Sequence, residues 1–165
     1  MKIRIAERID LPAIVNIYNQ AISAQATAAL ELVAVEDRQA WFDDHPSEKY
    51  PIIVAESDGS ILGYLHLSAY RPGRSALQST AEVSYFVDYE HHNQGVASEL
   101  LETCIRMCPS LEINTIFAIL LENNAASIHL LKKYKFEQWA HLPGVAEIGG
   151  MKVGQVYLGR KINQG

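Results

Sequence analysis

The segment Tyr85-Phe86-Val87-Asp88-Tyr89-Glu90-His91-His92-Asn93-Gln94-Gly95-Val96-Ala97 runs from an apolar stretch through a polar turn into a glycine, a small residue and an amphipathic pattern. A strand that turns straight into a helix aims the helix's first free N–H groups at one point. The helix dipole adds a positive field there. Gly95 has no side chain to keep a ligand off the backbone. Asn93, Gln94, Gly95, Val96 and Ala97 thus form a place where a pyrophosphate fits without Lys or Arg. Taken alone, Gly95 reads equally as a residue that eases a helix start. Neither the phosphate-loop nor the dinucleotide-binding glycine pattern occurs, which removes support from triphosphate and nicotinamide chemistry.

Outward from this turn the elements follow by period. Residues 82–88 read as a strand, and 95–108 as a helix with the stripe Val96, Leu100, Leu101, Cys104, Ile105 and Cys108. Upstream, strands over 51–57 and 60–69 are joined by Asp58-Gly59, a hairpin signal, and 70–79 has loop composition. Downstream come a buried strand over 114–121, a helix over 124–133, and strands over 136–141 and 151–161. At the start, residues 2–7 alternate as a strand with Ile3 and Ile5 inward. Asp10 is placed to cap a helix with Pro12 in its first turn and Leu11, Ile14, Val15, Tyr18, Ala21 and Ile22 on one face. A second helix over 36–45 is anchored by Trp41 and Phe42. The order β-α-α-β-β-β-α-β-α-β-β, without repeat or linker, predicts one mixed α/β domain over 1–165.

With 165 residues, 48% apolar and 20% charged, the chain has ordinary globular composition. No apolar run approaches the roughly 20 residues that span a bilayer, and charges interrupt the first ten residues, so the expectation is a cytoplasmic protein away from the membrane. The net charge of −5 argues against a nucleic-acid partner. Cys104 and Cys108 are the only cysteines; without a second His or Cys pair they read as packed, reduced thiols, and no metal site is expected.

The turn resembles motif A of the GCN5-related N-acetyltransferases, Gln/Arg-x-x-Gly-x-Gly/Ala, with His92, Gly95 and Ala97 at its fixed positions and His92 departing from the usual Gln or Arg. Glu122-Asn123-Asn124-Ala125-Ala126-Ser127 is similar to the family's Asn-x-x-Ser segment. The fold implied is an α+β sheet of about seven mostly antiparallel, twisted strands flanked by about four helices. The ligand implied is acetyl-CoA, with its pyrophosphate on the turn and its acetyl and pantetheine arm against Phe86 and Val87. Asn124 bonds a pantetheine amide or caps its own helix, and Ser127 bonds a phosphate or caps the same helix. Ile17-Tyr18-Asn19, Trp41-Phe42, Tyr50-Pro51, Val54-Ala55-Glu56, Gly63-Tyr64 and Arg71-Pro72 narrow the resemblance to the phosphinothricin acetyltransferase-like group. That group acetylates phosphinothricin, methionine sulfoximine or methionine sulfone, and it implies a homodimer.

Acyl transfer from a thioester to an amine needs a base, a donor for the developing oxyanion and an exit for sulfur. The resemblance makes Glu82, in Thr80-Ala81-Glu82, the base; without it, Glu82 reads as a solvated strand carboxylate. The Val87 N–H is the oxyanion donor expected from the motif. Relatives carry Tyr or His four residues after the Ser, where this chain has Leu131; Tyr134, nearly on the same helix face, is the substitute acid or else a core aromatic. His129 points away from that face. Glu31 and Arg71 match positions near the amino-acid acceptor, or else are solvated loop charges, while Tyr18 and Trp41 read as core. The group's Gly-Arg-Trp-x-Asp pattern is replaced by Gly154-Gln155-Val156-Tyr157, and Ala29 stands where relatives carry Phe. The reading is an acetyl-CoA-dependent N-acetyltransferase acting on a small amino-acid analogue. Its rivals are an acetyltransferase for a polyamine, an antibiotic or a peptide N-terminus, and an acyl-CoA-binding module that does no chemistry.

Overall fold

Alternating apolar residues and two tight turns, Asp58-Gly59 and Gly149-Gly150, shape the sheet. The computed structural model describes residues 1–162, and within them β1 (Lys2–Ile5), β2 (Ile52–Ser57), β3 (Ser60–Ala69), β4 (Thr80–Val87), β5 (Thr115–Leu121), β6 (Glu137–Ile148) and β7 (Met151–Lys161) form one sheet. Its spatial order is β1-β2-β3-β4-β5-β7-β6. Four α-helices cover it among the described residues: α1 (Leu11–Ser23), α2 (Gln39–Asp43), α3 (Val96–Met107) and α4 (Ala125–Lys133). The chain order is the one expected. None of these helices is long and apolar enough to cross a membrane. The β2–β3 turn holds Asp58 and Gly59 both at positive φ (50° and 79°), the twist that two-residue hairpins favour.

Each face of the sheet buries its own apolar layer. On one side Leu65, Leu67, Val83, Ile116 and Leu158 meet Leu100 and Leu101 of α3 and Leu131 of α4. Cys104 and Cys108 lie buried in this layer as free thiols. On the other side Ile52, Val54 and Tyr64 meet Ile14 and Ile17 of α1, with Trp41 and Phe42 of α2 packed around them. Burying each such aliphatic side chain stabilises the fold by about 1.5–3 kcal/mol.

Four local expectations change. Ile5 is 41% exposed, because it ends an edge strand beyond the covering layer, whereas Ile3 does pack on the core. Asp10 does not cap α1 with its side chain; it accepts from the Glu7 N–H (2.7 Å) and from both Arg4 Nη atoms (2.8 and 2.9 Å). The helix expected over 36–45 is a 3-10 turn, Val35–Arg38, followed by the five residues of α2. The strand expected over 136–141 continues to Ile148, since Gly149 and Gly150, both at positive φ, close a long hairpin into β7. Bulges at Gln138/Ala140 and Leu142/Ala146 break its two-residue period, which hid it from the sequence pattern.

One departure from regular pairing positions everything else. Parallel β4 and β5 pair through Thr80↔Thr115, Ala81↔Ile116 and Glu82↔Phe117, and then stop. Beyond that point β4 stays with β3 as far as Gly63↔Val87, and β5 stays with β7 as far as Leu121↔Gln155.

The Arg4–Asp10 pair generates a stability prediction. Burial pushes Asp10 up, but the bonds from Arg4 and the Glu7 N–H outweigh it and hold the carboxyl below the usual carboxylate range. Asp10→Ala should cost about 2 kcal/mol in urea unfolding, less than the roughly 3–5 of a fully buried pair because Arg4 keeps Glu56. A depressed folded-state pKa gives stability that is complete above the unfolded value, about 4, and is lost as pH falls through the folded value. The difference between wild type and variant should therefore shrink on acidification.

Candidate active site

Where β4 and β5 part, a cleft of about 460 Å³ opens, walled by Tyr85, Phe86 and Val87 of β4, the turn into α3, and Asn124, Ser127 and Leu130 at α4. Strand alternation tells which backbone groups face it. The Asp88 N–H donates to the Leu62 carbonyl on the β3 side (2.9 Å), so the Val87 N–H points the other way, into the gap, with no strand beside it. The Val87 carbonyl accepts from His92 Nε2 (2.9 Å).

The turn at the cleft mouth is built by local chemistry. Asp88 accepts from the Glu90 N–H (2.9 Å), from His91 Nδ1 (3.3 Å) and from Gln20 Nε2 of α1 (3.0 Å). Desolvation pushes its carboxyl up, but these bonds prevail and hold it below its ordinary range. Asn93 and Gly95 both take positive φ (61° and 82°), which turns successive N–H groups to one side, as in an anion nest. No side chain caps α3, and a Cβ built on Gly95 would meet nothing within 4 Å. An open concavity lined by free N–H groups at a twelve-residue helix fits a pyrophosphate. His92 supports the turn by bonding Val87. The α4 start is capped by Asn124, whose Oδ1 accepts from the Ser127 N–H (3.3 Å), so the capping alternative is the one seen while the residue also lines the cleft.

Glu82 sits at the fork itself, opposite Ser68 of β3 and Phe117 of β5 in the last pair before the strands part. Burial raises its carboxyl pKa, and it has no hydrogen bond or ion pair among the described residues. Glu82, Ser84 and Phe86 alternate to the sheet face covered by α1 and α2. There Phe86 packs on Tyr18 (5.2 Å between centroids) and Tyr64 (5.5 Å). His66 and Ser68 share this face: the Ser68 hydroxyl lies 3.2 Å from His66 Nδ1 and 3.3 Å from His45 Nε2. The Arg38 guanidinium stacks over Tyr18 and Trp41. Desolvation pushes both imidazoles below their usual range, so they are neutral near pH 7.

Not every expected residue joins the cleft. Tyr134 stands outside the cleft wall: its hydroxyl donates to Glu102 of α3 (2.5 Å), and its pKa is raised by burial and that carboxylate. Glu31 is exposed on the α1–α2 connection, and Arg71 is exposed at a positive φ of 53°; neither lines the cleft. Phe86 contributes backbone to the cleft but sends its ring to the opposite face. Tyr85, which the sequence reading passed over, takes the cleft face with Val87. Alternation was the signal that would have found it. His129 is exposed, as expected, yet it stands on the cleft rim with Lys133. No group of three or more His, Cys, Asp or Glu side chains among the described residues is arranged to hold a metal ion.

A model of the acetyltransferase (GNAT) family matches residues 12–136. The chain belongs to that family. It is 37% identical to YwnH of Bacillus subtilis (strain 168) over 99% of this chain and 100% of that protein. It is 33% identical to the L-methionine sulfoximine/L-methionine sulfone acetyltransferase of Pseudomonas aeruginosa over 88% of this chain and 85% of the relative. The structure of yncA from Salmonella typhimurium, with its cofactor acetyl-CoA, matches at a TM-score of 0.92 and 27% identity, covering 99% and 95% of the two chains. This acetyltransferase is accordingly an acetyl-CoA-dependent enzyme acting on amines.

The Tyr85 oxygen is shut off from solvent without a hydrogen-bond partner; the nearby Ser127 hydroxyl faces it without completing a bond of normal geometry. Such an orphaned group costs about 1–3 kcal/mol. At the mouth, Gly95→Val should lower CoA affinity about tenfold or more, because a β-branched residue at that φ is strained and its side chain enters the phosphate concavity. Calorimetric titration with CoA measures this, and affinity within twofold of wild type would show that the phosphates sit elsewhere.

Proposed function

We propose that this single domain over 1–165, of which 163–165 lie outside the described residues, transfers acetyl from acetyl-CoA to the amino group of a small amino-acid analogue of the phosphinothricin, methionine sulfoximine or methionine sulfone type. The observation that carries the reading is the position of Glu82: a half-buried, unpaired carboxylate in the last β4–β5 pair before the strands part, three residues along β4 from the cleft wall at Tyr85. The backbone from Asn93 to Ala97 holds the pyrophosphate, and the β4 edge at Phe86 and Val87 pairs the pantetheine arm. The amine attacks the thioester directly. Its proton passes to Glu82, and the Val87 N–H, aimed into the gap, takes the charge that develops on the carbonyl oxygen.

A carboxylate-bearing acceptor is supported by Arg38, a cation held against the aromatic wall on the Glu82 face. Arg71 and Glu31, both on exposed loops, meet the acceptor only if those loops or a second copy bring them in. The exposed apolar residues Leu30, Trp139, Val145 and Met151 supply surface for the homodimer that this reading includes.

The binding-module reading has one observation in its favour: Leu131, at the acid position, is fully buried and Tyr134 is tied to Glu102. Thiol release from acetyl-CoA in the presence of each amine separates the readings. Saturable release with methionine sulfone or methionine sulfoximine, cut at least about tenfold in Glu82→Gln, is the expected result. CoA binding with no release from any amine would favour the module.

The pH dependence has a fixed sign. The base works deprotonated, and burial raises its pKa, so kcat/KM should climb with pH through an inflection above the usual carboxylate range. Glu82→Gln should remove that inflection while leaving the one set by the amine itself.

A further inference from the structure

The sheet face that carries Glu82 also carries a run of hydrogen bonds whose directions chemistry fixes. His45 Nδ1 lies 2.6 Å from the Trp41 carbonyl oxygen, which can only accept, so Nδ1 holds the proton. Desolvation keeps this imidazole neutral near pH 7, and its Nε2 is therefore bare. Ser68 Oγ, 3.3 Å from that nitrogen, donates its one hydroxyl proton to it. With that proton spent, the Ser68 oxygen accepts from His66 Nδ1, 3.2 Å away. His66 is thus a neutral ring with its proton on Nδ1 and a lone pair on Nε2. Among the described residues, only the Tyr85 hydroxyl is both shut off from solvent and without a partner. His66 Nε2, which also has no partner, therefore reaches solvent. Glu82 pairs with Ser68 and Ser84 pairs with His66, so Glu82 and His66 are diagonal neighbours on one face of the β3–β4 ladder. Residues so placed stand about 7–8 Å apart, within reach of aromatic and long side chains. Trp41 (5.2 Å), His45 (5.1 Å) and Tyr64 (6.2 Å) hold the His66 ring between them.

We infer that His66 Nε2 and the Glu82 carboxylate together seat the acceptor's ammonium, with His66 as a hydrogen-bond acceptor that holds the nitrogen and never takes its proton; this rests on the acetyl-transfer reading above. A primary ammonium brings three N–H groups. One bonds to Glu82 and gives up its proton there, from which solvent removes it. A second stays bonded to His66, which keeps the freed amine at the fork while its lone pair turns to the carbonyl carbon. The nitrogen–carbon bond forms, and the carbon–sulfur bond breaks with its electron pair on sulfur. A second proton leaves nitrogen and solvent returns one to sulfur, so ammonium plus acetyl-CoA gives amide, CoA and one proton. His66 takes part in none of these transfers. Desolvation, with His45 and Arg38 adding to it, pushes its pKa down to about 3, whereas burial pushes Glu82 up. It is therefore an acceptor wherever Glu82 is ionised. Arg38, stacked on Tyr18 and Trp41, is the positive charge of this face. A zwitterion with its carboxylate toward Arg38 and its ammonium toward Glu82 matches those charges.

His66→Phe keeps a ring against Trp41 and Tyr64 without the nitrogens, and His66→Gln restores an acceptor oxygen. Nitrogen NMR of the wild type should show both imidazoles protonated at Nδ1. Methylammonium chloride added to the CoA complex should move the His66 Nε2 signal, where sodium chloride at equal ionic strength does not. With whichever amine releases thiol, His66→Phe should raise the amine KM about tenfold or more and leave the acetyl-CoA KM within about threefold. His66→Gln should recover part of that loss. Ser68→Ala should let the His66 proton move to Nε2 and raise the amine KM, with no further rise when it is added to His66→Phe. A wild-type His66 protonated at Nε2, or an Nε2 signal indifferent to methylammonium, would overturn the proposal. So would a lower melting temperature in both His66 variants with the amine KM unchanged, which would make His66 a packing residue. A response to methylammonium without thiol release from methionine sulfone or methionine sulfoximine would uphold the seat and sink that acceptor class alone.

Discussion

Everything specific to this molecule depends on the parting of β4 and β5 after three paired residues. A strand interior must satisfy its N–H and C=O groups, and a parallel pair that stops early leaves a row of them facing empty space. Elsewhere such a row would be closed by another strand. Here both strands are held apart by their outer neighbours, β3 on one side and β7 on the other, whose registers run on without a break across this gap. The open edge of β4 is therefore a preformed strand partner for an extended, amide-bearing ligand. The pantetheine of CoA is such a ligand.

Alternation then divides the labour. Residues of β4 that face α3 and α4, Val83, Tyr85 and Val87, belong to the cofactor side. Residues that face α1 and α2, Glu82, Ser84 and Phe86, belong to the opposite, aromatic-lined side. The two sides meet at the fork, where Glu82 and Phe117 form the last β4–β5 pair. The aromatic layer around Phe86, Tyr64 and Trp41 keeps water away from Glu82, and that exclusion is what raises its affinity for a proton.

Much of this was legible along the chain. Eleven elements appeared in their true order because hydrophobic period and Gly or Asn turns are local properties, and the turn into α3 was legible because Gly95 and its polar approach are contiguous. Where elements were missed or shortened, a nonlocal partner had overridden the period. Asp10 was drawn from its capping position by Arg4 of β1. The long β6 hides behind two bulges that only its pairing with β7 makes tolerable.

The sequence by itself determined the fold, the family and the turn into α3, because these rest on pattern and on short contiguous motifs. It placed Glu82 on the strand that enters the turn. Only the tertiary structure decided that Glu82 stands at the fork without a partner, that Tyr134 belongs to Glu102, and that Tyr85 joins the cleft wall. Those facts depend on which side chains from distant segments come within reach of one another. No spacing along one chain encodes a distance between β4, α3 and α4; packing does.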